Sequence, residues 1–254
     1  MTQQFEPLNS RLKICVSREH KFGTDAFLLS DFARVRRRDI LCDLGTGCGI
    51  VLLLRYRTQE DTPREAWGVD IQPQAIQQLQ AAVEENHLEG QIHPVCADLR
   101  QLKGKVPFGY FDVVTCNPPY QAAQTGILCE EDAHTIARHE LFCTLEDVCQ
   151  SASKLLRFGG RLCLCQRPQR LFDAMAAMRK FHIEPKRLRM VQQRAASAPW
   201  LFLLEGRLGS RPHLEVEAPL LMEAPDGQGF SQEVLRIYHK DRALPIKEKE
   251  AAQE

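Results

Sequence analysis

The sequence contains no run of about 18 apolar residues, so no helix that would cross a bilayer is expected. It also lacks the basic-then-apolar pattern of a secretion signal. The chain begins Met1-Thr2-Gln3-Gln4-Phe5-Glu6, and a cytoplasmic setting is the expectation. Net charge is missing as well, because Lys plus Arg and Asp plus Glu both count 33. Proteins that hold nucleic acid through bulk charge are usually basic, so any such partner must be held by local basic patches and by shape. Despite ten cysteines there is no Cys-x-x-Cys pair and no paired ligand spacing, so no metal is expected. Cys42, Cys96, Cys116, Cys163 and Cys165 lie in or beside apolar runs, where a free thiol packs as a small hydrophobe in a reducing compartment. No internal repeat occurs, which excludes solenoids and propellers. What remains is ordinary for a globular protein. The 254 residues are 44% hydrophobic and 26% charged, enough to bury a substantial core.

Periodicity orders the elements. Residues 12–16 read as a short strand before a loop ending at Gly23. Thr24 is placed to cap a helix whose apolar face is Leu28, Leu29, Phe32 and Val35. Strands are expected at Ile40–Leu44, 66–70, Ile92–Cys96 and 111–115, with a helix through Ile50, Leu53 and Leu54 after the first. After the second, Pro73 suits the first turn of a helix with Ile76, Leu79 and Val83 on one face. The stretch 121–140 is polar and without period, and is read as a long loop of the kind that often binds or covers a ligand. Thr144 and Asp147 make a capping box for a helix through Leu145, Val148, Ala152 and Leu155, which Gly159-Gly160 is expected to end. Then come a strand at 161–165, a helix over 168–180 buried through Leu171, Met175 and Met178, and strands at 187–192 and 200–206. Strands alternating with helices imply a parallel sheet covered on both faces. The last pair has too little chain between its members for a crossover and is expected to be an antiparallel hairpin at one edge.

Three spacings carry chemistry. Asp43-Leu44-Gly45-Thr46-Gly47-Cys48-Gly49 joins a strand to a helix, and its glycines allow close approach of backbone to a ligand. Its third glycine comes one residue early for the dinucleotide fingerprint, which fits a ligand without pyrophosphate. Asp70 ends the next strand, 21 residues beyond Gly49, where a carboxylate accepts both hydroxyls of a ribose. Asp98, just past the third strand, is placed either to receive a base amine or to cap its own loop. The third spacing is Asn117-Pro118-Pro119-Tyr120, directly after the fourth strand. An exocyclic amine on adenine is a poor nucleophile, since its lone pair is delocalised into the ring. The Asn117 carboxamide oxygen and the Pro118 carbonyl would each accept one N–H and aim that lone pair at an electrophile. Pro119 stiffens the turn without adding a donor, and Tyr120 offers a flat face to an unstacked base.

With these motifs the chain resembles the class I, S-adenosylmethionine-dependent methyltransferases that modify planar amines. Within them it is similar to the bacterial tRNA (adenine-N6)-methyltransferase family that acts next to the valine tRNA anticodon. Phe22-Gly23-Thr24-Asp25-Ala26, Ala137-Arg138-His139-Glu140 and residues 185–189 carry the more specific part of that likeness. The resemblance implies an α/β fold: a doubly wound, mostly parallel, seven-stranded Rossmann-like sheet with an antiparallel edge hairpin and a short N-terminal extension. Residues 1–38 would be the extension that closes the cofactor pocket, 39–240 the methyltransferase domain, and 241–254 a disordered tail. By position, Gly45, Gly47 and Gly49 would lie along the methionine part of S-adenosylmethionine and Asp43 near its amino group. Asp70 would hold the ribose, Asp98 the cofactor adenine, and Thr24 and Asp25 would seal the pocket. Asn117, with Pro118, Pro119 and Tyr120, would form the catalytic turn, and Tyr120, Arg138 and His139 would meet the substrate, a tRNA anticodon loop. Cys48 departs from a more usual Thr or Ser.

Two clusters, Arg34, Arg36, Arg37 and Arg38, and Lys186, Arg187, Arg189 and Arg194, are read either as RNA contacts or as solvated helix ends and strand edges. The competing readings are a protein-glutamine N5-methyltransferase, an rRNA adenine methyltransferase and a non-catalytic nucleotide-binding module. The first shares the Asn-Pro-Pro-Tyr geometry but carries a sizeable N-terminal helical domain, whereas about twenty residues precede Phe22 here.

Overall fold

The computed structural model describes residues 4–17, 22–59, 61–118 and 143–238. The N-terminus is a hairpin of β1 (Gln4–Pro7) and β2 (Lys13–Val16), antiparallel, whose turn closes through Asn9 Oδ1 accepting from the Arg11 and Leu12 amides. Only its second strand was expected, because β1 is largely exposed and has no apolar period. Helix α1 (Thr24–Phe32) follows. Its N-cap is Gly23, so Thr24 is the first helical residue and not the cap.

The main sheet contains β3 (Ile40–Leu44), β4 (Glu65–Asp70), β5 (Ile92–Cys96), β6 (Phe111–Cys116), β7 (Leu156–Gln166), β8 (Ile183–Gln192) and β9 (Pro199–Leu208). These are the seven strands anticipated. Two two-residue strands, β10 (Glu215–Val216) and β11 (Leu220–Leu221), pair parallel with β8 and bring the sheet to nine, in the order β10-β8-β9-β7-β6-β3-β4-β5 with β11 also on β8. The seven-stranded expectation is corrected in that respect, and β8 is not a bare edge. Strand β9 is antiparallel to both β7 and β8 and lies between them. Its Leu201-Phe202-Leu203-Leu204 run is buried throughout, as a strand covered on both faces requires.

Helices α2 (Ile50–Leu53), extended by a 3-10 turn at Leu54–Tyr56, and α3 (Pro73–Glu85) pack with α1 on one face. Helices α4 (Leu145–Leu155) and α5 (Leu171–Lys180) cover the other, and α6 (Gln232–Tyr238) joins the α1 side through Val234 and Ile237. The Thr144–Asp147 capping box is present with both of its hydrogen bonds. Gly159-Gly160 does not end that helix. The helix stops at Leu155, and the glycines lie inside β7, where pairing with β6 shifts register between Phe111 and Val113. A Cβ on Gly160 would sit 2.9 Å from both the Arg157 and Phe111 carbonyl oxygens, so the pair forms a bulge at a close backbone approach. The 168–180 helix is split into a 3-10 turn (Pro168–Arg170) and α5, which is buried through Ala174, Ala177 and Met178, with Leu171 and Met175 only partly covered. The loop expected at 121–140 lies outside the described residues.

Cys42, Cys116, Cys163 and Cys165 are buried free thiols, whereas Cys96 is exposed, its side chain ending β5 on the solvent side. Among the described residues no helix is long and apolar enough to cross a membrane.

One buried ionic junction holds α1 to the sheet. Glu205 on β9 accepts from Arg161 at 3.0 Å and Arg187 at 2.9 Å. The same two guanidiniums donate to the carbonyls that end α1, Arg187 to Phe32 at 2.6 Å and Arg161 to Ala33 at 3.0 Å. Arg187 also lies 3.9 Å over the Phe32 ring. Burial would raise the Glu205 carboxyl, and the two guanidiniums more than offset it, holding it below its ordinary value. Glu205→Ala leaves two cations without their shared anion and is expected to cost about 3–5 kcal/mol in urea unfolding. Hydrogen exchange in α1 should quicken with it, and an unchanged melting profile would remove the junction from this role.

Candidate active site

The chain leaves β3 toward β4 on one side, while β6 returns on the other, and the strand order reverses at this point. In open α/β sheets ligands bind outside the carboxyl ends of the strands at such a switch. A cleft of about 320 Å³ lies there, lined by Gly45, Gly47, Asp70, Asp98, Asn117 and Pro118, with Ile71, Leu99, Cys116 and Cys143 among its other walls.

The glycine loop is tied to β4 rather than left loose. The Gly45 and Thr46 amides donate to the Val69 carbonyl at 2.8 and 3.0 Å, and the Gly47 amide donates to Asp70 Oδ2 at 2.9 Å. Gly45 and Gly47 have φ of +70° and +56°, and a Cβ on either would meet nothing within 4 Å. Both therefore leave open space over the backbone, the cradle that a ligand needs. Gly49 differs. It caps α2 in the left-handed region, and a Cβ there would lie 2.3 Å from Leu79 Cδ1, so its role is helix packing and it does not line the cleft.

The acidic residues separate in the same way. Asp70 accepts from the Gly47 and Gln72 amides, one per oxygen, and each oxygen keeps a second lone pair. Asp98 lines the cleft but is clasped by Arg100, whose Nε and Nη2 reach both oxygens at 2.6 to 3.1 Å and whose amide donates to Oδ1. The hydrogen bonds by which Asp98 caps its own loop are formed. The Arg100 guanidinium holds its carboxyl below the usual range. Asp43 is buried behind the loop, accepting from the Thr115 hydroxyl at 2.6 Å. Burial pushes its carboxyl up to about 7, although the Thr115 hydroxyl acts to lower it.

Asn117 emerges from β6 half-buried. Its Nδ2 donates to Asp25 Oδ2 at 2.9 Å, and its Oδ1 accepts from the Cys165 thiol at 3.1 Å. Asp25 thus reaches the Asn117-Pro118 turn itself. Thr24 does not line the cleft: its hydroxyl accepts from Tyr238 at 2.8 Å, and Tyr238 stacks between Phe27 and Phe230. Pro119, Tyr120, Arg138 and His139 lie outside the described residues. The sequence reading missed Ile71, which is 43% exposed and forms an apolar wall beside Asp70. The available signal was a large apolar residue directly after an acidic strand end. Among the described residues no cluster of His, Cys, Asp or Glu is arranged to hold a metal.

The basic clusters are placed elsewhere or engaged. Arg36, Arg37 and Arg38 are exposed but precede β3, at the end of the strand away from the cleft, and a five-residue strand spans about 17 Å. Arg34 pairs with Glu217, Arg187 with Glu205, Arg189 with Glu233 and Arg194 with Glu223, while Lys186 donates to the Arg211 carbonyl.

A switch-point cleft between a glycine loop and an Asn-Pro turn, on this sheet order, defines a Rossmann-like methyltransferase domain. Residues 17–183 match the family model described as methyltransferase small domain, and the chain belongs to that family. It is 32% identical over 143 residues to the tRNA1(Val) (adenine(37)-N6)-methyltransferase of Histophilus somni, covering 56% of this chain and 58% of that one. With the protein of the same name from Yersinia pseudotuberculosis it shares 31% over 145 residues, 57% of this chain and 56% of the relative. The match therefore spans a little over half the length of these relatives. Among solved structures, a predicted O-methyltransferase from Agrobacterium tumefaciens superposes with a TM-score of 0.68 at 21% identity, over 87% of this chain and 98% of that one. A tRNA m1G37 methyltransferase from M. jannaschii gives 0.53 at 18% identity, over 83% and 58%. At such identities these structures establish the fold.

The Asp43 carboxyl has a definite pH signature. Its folded value of about 7 stands above the ordinary 3.8, so the folded state holds the extra proton between them. This contribution to stability is complete below about pH 3.8 and is lost as pH rises through about 7. Asp43→Asn, which does not ionise, is expected to match the wild type near pH 4 and to exceed it at pH 8 by on the order of 4 kcal/mol. Urea melts across that range check this. Parallel pH profiles for the two proteins would count against a protonated Asp43.

Proposed function

We infer that the protein transfers the methyl group of S-adenosylmethionine to N6 of an adenine in a tRNA anticodon loop. The observation that carries this reading is the fixed Asn117 carboxamide beside Pro118 at the mouth of the cleft, a pair of acceptors suited to a planar amine. Adenine and tRNA are further supported by the names of the relatives. The open cradle over Gly45 and Gly47, with Asp70 across from it, fits the cofactor.

S-adenosylmethionine supplies the electrophilic methyl group when bound. Gly45 and Gly47 would give its chain room against the backbone, Asp70 would accept from its ribose hydroxyls, and Ile71 and Leu99 would offer apolar walls to its base. Asn117 Oδ1 and the Pro118 carbonyl accept the two N–H groups of the adenine amine. They favour a pyramidal nitrogen and stabilise the positive charge that develops on it. The reading assigns no general base, because the methylated ammonium is acidic enough to release its proton to water. On the substrate side, the surface just past β7 carries Phe172, 82% exposed, while the neighbouring Arg170 is paired with Asp173 at 2.8 Å. An exposed aromatic face suits a single-stranded base. With no net charge on the chain, binding should be modest and its salt slope shallow.

Asn117→Ala is expected to leave S-adenosylmethionine affinity by calorimetry within about twofold and to lower turnover by two to three orders of magnitude, roughly the loss of one oriented acceptor. Labelled cofactor, total tRNA, rRNA and release factors, followed by nucleoside and amino-acid mass spectrometry, identify the acceptor. Label in N6-methyladenine of tRNA supports the reading, and label in glutamine or rRNA alone overturns it. Phe172→Ala should raise KM for tRNA by about tenfold, in the range of one stacked base, with kcat kept. An unaltered KM would remove this surface from the substrate path.

A further inference from the structure

A primary carboxamide has two ends of similar shape and opposite hydrogen-bonding character. If Asn117 is to accept a hydrogen bond from an amine, its oxygen and not its NH2 must face the reacting nitrogen. An amide flip costs little in shape and would replace an acceptor by a donor. Something in the protein must therefore sort the two ends. Asp25 does half of this, since its Oδ2 accepts from the Nδ2 end at 2.9 Å.

The other half comes from β7. Cys116 pairs with Leu164 in the parallel β6–β7 register, which puts Cys165 next to Asn117. Leu162 and Leu164 belong to the core under α4 and α5, whereas Cys163 and Cys165 face the α1 side, where Asp25 also lies. Cys165 is fully buried, and its Sγ lies 3.1 Å from Asn117 Oδ1, a donor aimed at the oxygen end. A thiol is a weak donor, and a carboxamide oxygen has two lone pairs. Such a contact holds the oxygen in place, and a weak donor competes little with a substrate N–H. A cation at this position would compete with the substrate amine for the same oxygen.

We propose that Cys165 is a positioning residue for methyl transfer: its thiol holds Asn117 Oδ1 toward the reacting amine while Asp25 holds Nδ2 away from it. The inference rests on the function proposed above and adds a residue that the glycine loop and the Asn-Pro-Pro-Tyr motif do not contain. It also gives one of the apolar-run cysteines a task beyond packing.

The test compares wild type with Cys165→Ala, Cys165→Ser and Cys149→Ala, each alone and the first also in the Asn117→Ala background. Cys149 is likewise fully buried, on α4 in the opposite core, and reports the cost of simply removing a buried thiol. Cys165→Ala is expected to lower kcat about tenfold, near the worth of one hydrogen bond, with cofactor affinity within twofold of wild type. Cys165→Ser, which keeps a donor, should recover most of the loss, and Cys149→Ala should keep wild-type kcat. In the Asn117→Ala background Cys165→Ala should cost nothing further, since the group it positions is gone.

A second readout needs no substrate. The S–H stretching band absent from Cys165→Ala in infrared difference spectra belongs to this thiol, and it should move to higher frequency in Asn117→Ala, where its acceptor is lost. Wild-type kcat in Cys165→Ala, an equal loss in Cys149→Ala, a full further loss in the Asn117→Ala background, or an unmoved band would each overturn the inference. Wild-type activity on a protein acceptor instead of RNA would overturn the functional reading alone, and the same kcat comparison on that acceptor would still decide the role of Cys165.

Discussion

The junction at Glu205 is the constraint on which the site depends. Helix α1 is nine residues long and sits across the sheet rather than in it, so nothing in the strand ladder fixes its position. Arg161 and Arg187 do so by reaching from β7 and β8 to the carbonyls at its C-terminal end while sharing one buried carboxylate. Breaking such a junction is costly, because a remaining buried charge has no water to turn to. The opposite end of the same short helix carries Asp25, which meets Asn117. A buried ion pair at one end of α1 and the Asn117 carboxamide at the other are thus joined through the same helix.

A second tie acts at the other end of α1. Tyr238 on α6 donates to Thr24 and stacks on Phe27 with ring centroids 4.5 Å apart, and Arg57 donates to the Ile237 and Tyr238 carbonyls at the end of α6. Helix α1 is therefore held on one side by Tyr238 of α6 and on the other by Asn117. This explains why Thr24 and Asp25, adjacent in sequence, have different partners. One belongs to the clamp and the other to the site.

The cleft is electrostatically economical. Asp70 is directed by backbone amides, Asp98 is neutralised by Arg100, and Asp43 is driven toward its neutral form by burial. Among the described residues little uncompensated charge lines the cleft, which agrees with a chain of no net charge. Of the arginines in the two basic clusters, Arg34, Arg187, Arg189 and Arg194 are ion-paired within the protein.

The alternation of strands and helices, the capping box at Thr144, the apolar face of α1, and the glycine loop, the strand-end Asp70 and the Asn117-Pro118 turn each taken singly were legible in the sequence, since each depends on residues close together in the chain. Hydrophobic period and turn chemistry are local properties and survive any tertiary arrangement. The insertion of β9 between β7 and β8, the added strands β10 and β11, the bulge at Gly159-Gly160 and the sharing of Glu205 were not legible. Each depends on which strand lies beside which, and pairing energy is decided by neighbours distant in sequence. The same reason separates the site residues. Asn117 announced itself through its flanking prolines, whereas Gly49 looked like its loop neighbours until Leu79 appeared against it, and Cys165 looked like core until parallel register set its thiol beside a carboxamide 48 residues away. The sequence by itself determined which chemical groups were available at the strand ends. Only the tertiary structure decided which of them touch, because hydrogen bonds act over about 3 Å and the sequence does not hold that distance between residues on different strands.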